Sequence, residues 1–142
     1  MKVTFCGNRL ASHEEVEASL KRIIEALIKE GADEFLLGGY GNFDKIAASV
    51  VKSFKVNYPQ IKSILVIPYL NRDYNKELYD LSVYPELENV HPKGAIVKRN
   101  QYMIDEADVV VACVKYKNGG AHTTLKYAEK KNKRIIDVMN IP

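Results

Sequence analysis

The chain has 142 residues, 46% of them hydrophobic, with 21 Lys and Arg against 18 Asp and Glu and a formal net charge of +3. That length suits a single domain over 1–142, able to bury a core without disulfide or metal staples. The well-mixed charges argue against a disordered tail and against the concentrated basic stripe of a dedicated nucleic-acid binder.

No apolar run approaches the ~20 residues that span a bilayer, and the scattered histidines His13, His91 and His122 show no metal-ligand spacing. The first residues lead straight into a strand-like run with no leader. The expectation is a cytoplasmic protein with no membrane partner, no metal and no cofactor. Cys6, in VTFC, and Cys113, in VVVACV, read as buried free thiols of a reducing compartment.

KVTFCG is a first strand. In SHEE, the Ser12 hydroxyl can accept from the N–H of Glu15 in a capping box. The helix that follows puts Val16, Leu20, Ile23, Ile24, Leu27 and Ile28 on one face, and Gly31 stops it. EFLLGG is a second strand, followed by the turn GGYGN and a helix with Phe43, Ile46, Ala47, Val50, Val51 and Phe54 inward. KSILVIPYL is a third strand, ending near Pro68.

Residues 71–98 are polar, tyrosine-rich and irregular, with a helical turn and a short strand at SVYP. RNQYMIDEA is a short helix opened by Arg99 and Asn100, and TTLKYAEKK is another, with Lys130, Lys131 and Lys133 toward its C-terminus. DVVVACV and KRIIDVM are continuous apolar runs, the pattern of strands buried on both faces of a parallel sheet. Alternation of the two element types predicts an α/β fold: Rossmann-like and doubly wound, a mainly parallel sheet with helices on both faces.

Three turns follow strands: Gly7, Asn8 and Arg9; then Gly38, Gly39, Gly41 and Asn42; then Asn118, Gly119, Gly120, Thr123 and Thr124. In a parallel sheet such turns emerge at the carboxyl edge, where ligands bind. Glycine lets backbone N–H groups come close to an anion, a helix N-terminus adds partial positive charge, and Arg99 could grip a phosphate with two N–H groups. Each residue also has a plainer role. The glycines make tight turns, Asn42 and Thr123 are N-caps, Asn8 and Arg9 cap the first turn, His122 is a loop residue and Arg99 pairs with a surface carboxylate. The set as a whole points to one anion site.

With these residues in place, the chain resembles the SLOG superfamily, the Rossmann-like group that includes YpsA-like proteins, DprA and the LOG phosphoribohydrolases. The resemblance runs through TFCGNR, FLLGGYGNFD, SVYPELENV, AIVKRNQYMIDEADVVVACV and GGAHTTLKYAEKKNKRIID. It implies a small molecule, a nucleotide or a nucleotide-derived ligand such as an ADP-ribose derivative, over Gly7, Asn8, Arg9, Gly38, Gly39, Gly41, Arg99, Asn100, Gly119, Gly120, Thr123 and Thr124. It also implies a homo-oligomer.

LOG-type hydrolases carry PGGxGTxxE, whose glutamate works on the N-glycosidic bond. Here no proline precedes Gly119, and Lys126 holds the glutamate's place. Cleavage through an oxocarbenium-like state calls for a carboxylate beside the sugar. The expectation is therefore a sensor without strong catalysis. A phosphoribohydrolase or deoxyribosyltransferase is the alternative, using Asp44, otherwise a favourable charge at a helix N-terminus, or a carboxylate of the 71–98 stretch such as Glu86 or Glu88. A DprA-like platform for single-stranded DNA is a further one.

Overall fold

A computed structural model of the chain describes residues 1–7, 12–70, 73–115, 117 and 119–140. Asn8, Arg9 and Asn118 lie outside the described residues. The elements in chain order are β1 (Lys2–Gly7), α1 (His13–Glu30), β2 (Glu34–Leu37), α2 (Gly41–Phe54), β3 (Lys62–Val66), β4 (Leu81–Val83), α3 (Pro92–Glu106), β5 (Val109–Cys113), α4 (Gly120–Lys130) and β6 (Arg134–Asp137), with 3₁₀ turns at Lys76–Leu78 and Val138–Asn140.

The six strands form one sheet in the order β4-β3-β2-β1-β5-β6, and each neighbouring pair is parallel. From β1 the chain winds outward to β4, then crosses back to lay β5 on the other side of β1. The topological switch falls between these two strands, where Gly7 pairs with Cys113.

Side chains alternate across the pleat and build one core on each face. Val3, Phe5, Phe35, Leu37, Val109 and Val111 meet Leu20 and Ile24 of α1 and Val51 of α2. On the opposite face Cys6 and Val110 meet Ile104 and Ala128, and Leu36, Ile64 and Val66 meet Met103. All five residues of β5 are buried, as their unbroken apolar run requires. The β6 run does not follow: this is an edge strand, with Arg134 and Asp137 exposed and both isoleucines half-covered. No helix among the described residues is long and apolar enough to cross a membrane.

Local signals hold for α1, where Ser12 accepts from the Glu15 N–H at 3.1 Å and Gly31 closes the helix at φ 114°. Elsewhere the helix starts shift. Tyr40, not Asn42, caps α2, without a side-chain hydrogen bond. Arg99 does not open a helix; α3 begins at Pro92, where the His91 ring accepts from the Lys93 N–H at 3.2 Å. Proline at the first turn suits a helix start because its missing N–H is not needed there. Thr123 and His122 lie inside α4, which is capped by Gly119 at φ 89°.

Gly7, at the end of β1, has a packing reason of its own: a Cβ there would sit 2.5 Å from the Phe43 ring. Phe43 in turn meets Phe5 edge-on at 6.4 Å between centroids. Gly7→Ala should therefore destabilise the fold by about 1–3 kcal/mol through overpacking, read as a lower midpoint in urea unfolding with unchanged slope.

Candidate functional site

At the carboxyl edge, directly over the switch between β1 and β5, lies a cleft of about 160 Å³. Phe5, Cys6 and Gly7 form its floor; Ile96, Arg99, Asn100 and Met103 of α3 form one wall and Gly120, Ala121 and Thr124 of α4 the other, with Tyr40 and Asp44 at the side. Pockets that enclose a drug-sized ligand begin at ~300 Å³, so this cleft is smaller than those. No group of three or more His, Cys, Asp or Glu among the described residues could hold a metal ion.

Arg99 is only 2% exposed. Its Nη1 donates to the carbonyls of Gly38 at 2.8 Å and Val66 at 2.9 Å, and its Nε donates to the Asn100 side chain at 2.8 Å. The Tyr40 ring lies 5.1 Å from its guanidinium carbon. Gly38 is what admits this contact, since a Cβ there would stand 3.0 Å from Cζ. Arg99 therefore ties α3 to the ends of β2 and β3 from mid-helix. The surface ion pair expected for it is not formed among the described residues.

Its charge is answered by Asp44. Desolvation raises the Asp44 carboxyl from its ordinary 3.8 to about 7, while Arg99 and hydrogen bonds from the backbone of Gly38, Tyr40 and Gly39 hold it down against that rise. The amides that the sequence offers to a phosphate thus face a carboxylate of the chain itself. Asp44 also lines the cleft and keeps part of its surface open there. On its other sides stand Cys6, whose thiol burial pushes up to about 12 with a smaller push from Asp44, and Tyr79, raised by burial and then by Asp44. Cys6 Sγ donates to the Ala121 carbonyl at 3.2 Å, and both cysteines are buried.

At the start of α4, the Thr123 and Thr124 hydroxyls donate back to the carbonyls of Gly119 at 3.0 Å and Gly120 at 2.9 Å. Thr124 faces the cleft and Thr123 is exposed away from it. Of the candidates, Gly7, Arg99, Asn100, Gly120 and Thr124 come together, with Gly38 behind Arg99. Gly39 borders a neighbouring hollow with Tyr74 and Tyr79, Asn42 borders another near His13, and Gly41 and Gly119 do not line the cleft. Lys126 points outward and pairs with Glu129 at 3.6 Å.

A cluster of tyrosines beside the cleft has no counterpart in the sequence reading. The Tyr74 hydroxyl donates to the Tyr69 carbonyl at 3.1 Å, and the Tyr69 hydroxyl to the Pro92 carbonyl at 2.7 Å. Tyr40 lines the cleft itself. The only signal was the tyrosine richness of the irregular stretch, which has no helical or strand period.

Known proteins resemble this chain in sequence and in fold. The family model for YpsA, described as a SLOG family, matches residues 7–141. The SPbeta prophage-derived protein YoqJ of Bacillus subtilis strain 168 is 30% identical over 82% of this chain and 81% of its own length. Among solved structures, DNA processing protein A of Helicobacter pylori, described by its single-stranded DNA binding mode, superposes with a TM-score of 0.67 at 22% identity, over 96% of this chain and 64% of that one. The molybdenum cofactor binding protein of Rippkaea orientalis gives 0.67 at 19%, over 96% and 74%. At these identities the two structures establish a shared fold.

The raised Asp44 sets the sign of a pH effect. Below about pH 4 the carboxyl is protonated in both folded and unfolded chains; between about 4 and 7 only the unfolded chain ionises, so stability falls across that window and is flat above it. Asp44→Asn should lack this fall between about pH 4 and 7, so its stability should follow a flatter pH profile than the wild type's, measured by denaturant unfolding at each pH.

Proposed function

The chain belongs to the YpsA family of SLOG proteins, and from that premise we propose that it binds a nucleotide or nucleotide-derived ligand at the switch-point cleft, as a cytoplasmic sensor rather than a strong catalyst. The observation that carries this reading is the meeting of Arg99, Asn100, Gly120 and Thr124 around one concavity above β1 and β5. The ligand's phosphate is assigned to the start of α4, where unpaired N–H groups and the helix dipole favour an anion. Its base is assigned to the rim, beside Tyr40 and the neighbouring tyrosines. The small-molecule ligand of the Rippkaea orientalis neighbour is in keeping with such a site on this fold.

Catalysis is the weaker reading. The place of the hydrolase glutamate carries Lys126, exposed and paired to Glu129. Asp44 has a titration range suited to general acid–base work, and release of free base that stops on Asp44→Asn would move the assignment to an enzyme. A homo-oligomer is also proposed: β4 and β6 end the sheet with one backbone edge each unpaired among the described residues, and light scattering after size exclusion measures it.

Single-stranded nucleic acid is the second reading. It draws on the DNA-binding neighbour and on Tyr40, Tyr69 and Tyr74 beside the cleft, since bases stack on aromatic rings without sequence preference. Salt separates the two readings, because strand binding weakens steeply with ionic strength through counterion release.

Calorimetry with AMP, ADP-ribose and a short DNA oligonucleotide at two salt concentrations tests all of this. The expected result is heat with a mononucleotide, weakly dependent on salt. Absence of heat from both small ligands, with the fold intact, would refute the nucleotide reading.

A further inference from the structure

The two sides of the cleft are chemically opposite. The α4 side offers hydrogen-bond donors and suits an anion. The α2 side presents Asp44, the only carboxylate among the described residues that line the cleft. An ionised carboxylate is acceptor-only, so a second anionic group cannot sit against it, while a group with paired O–H donors can. Asp44 lines the cavity and is only partly covered, and its carboxylate is favoured by the charge of Arg99 and by the backbone of Gly38, Gly39 and Tyr40. The other side-chain carbonyl there, Asn100 Oδ1, already accepts from Arg99.

We propose that Asp44 accepts the vicinal hydroxyls of a ribose whose phosphate lies at the start of α4, so that the cleft selects ribose phosphates over their 2′-deoxy counterparts. This rests on the nucleotide reading above and sharpens it to a substrate class. Asp44 is then a specificity-determining residue, and Tyr40 at its side marks where the base leaves the cavity.

The test titrates AMP, 2′-deoxy-AMP and inorganic phosphate into the wild type and Asp44→Asn at alkaline pH, where the carboxyl is ionised. Hydrogen bonds to a charged acceptor make ribose the tighter ligand by about 10–100-fold in the wild type. The variant should bind AMP more weakly, lose most of the discrimination, and bind inorganic phosphate more tightly because a nearby negative charge is gone. A general loosening of the fold would weaken both ligands together and would not give these opposite signs.

Equal affinity for AMP and 2′-deoxy-AMP in the wild type overturns the inference while leaving the nucleotide reading standing, and that comparison needs no variant to fold. Full discrimination in Asp44→Asn also overturns it. Silence from all three probes overturns the inference together with the reading beneath it.

Discussion

A guanidinium withdrawn from water must find hydrogen-bond acceptors and a counter-charge, and the carboxyl edge of this sheet is arranged around that requirement. Arg99 takes the carbonyl of Gly38, just past β2, and the last carbonyl of β3, and Asp44 supplies the charge from α2. Three elements that share no local sequence are thereby fixed to one another. The bare backbone of Gly38 is part of the same solution, because any side chain there would displace the guanidinium. The cleft lies beside this unit, with one wall inherited from it.

The architecture was legible because it depends on local and periodic signals. The helical stripe of α1, its Ser12 and Gly31 ends and the unbroken apolar run of β5 each follow from short-range physics, and their order implies double winding. The edge position of β6 was not legible: KRIIDVM has the same apolar character as an inner strand, and only the strand order reveals that no further strand among the described residues pairs with its outer edge. The start of α3 was missed because PKGAIVK is too mixed to show a clear apolar face, whereas Pro92 marks the boundary structurally.

Site residues divide along the same line. Glycines after strands were found because turn chemistry is local, and Gly7, Gly38 and Gly120 do gather at the switch point. What each glycine is for was not local. Gly7 makes room for Phe43 and Gly38 for Arg99, while the loop amides that looked available to a ligand face Asp44. The grouping of Tyr40, Tyr69 and Tyr74 depends on how the stretch after β3 folds back toward Pro92. No spacing rule encodes that.

The position of β1 has a consequence for how the chain comes into being. Its Val3 pairs with Phe35 on one side and with Val109 on the other. During synthesis from the N-terminus, the first contact becomes possible early and the second only when most of the chain has been made. Until then the central strand of the finished sheet is an edge, with unsatisfied amides and carbonyls flanked by Phe5 and Cys6. Nascent chains are thus exposed to mispairing with one another until β5 has been made. Slow elongation before β5 would lengthen that window without altering any contact in the native protein.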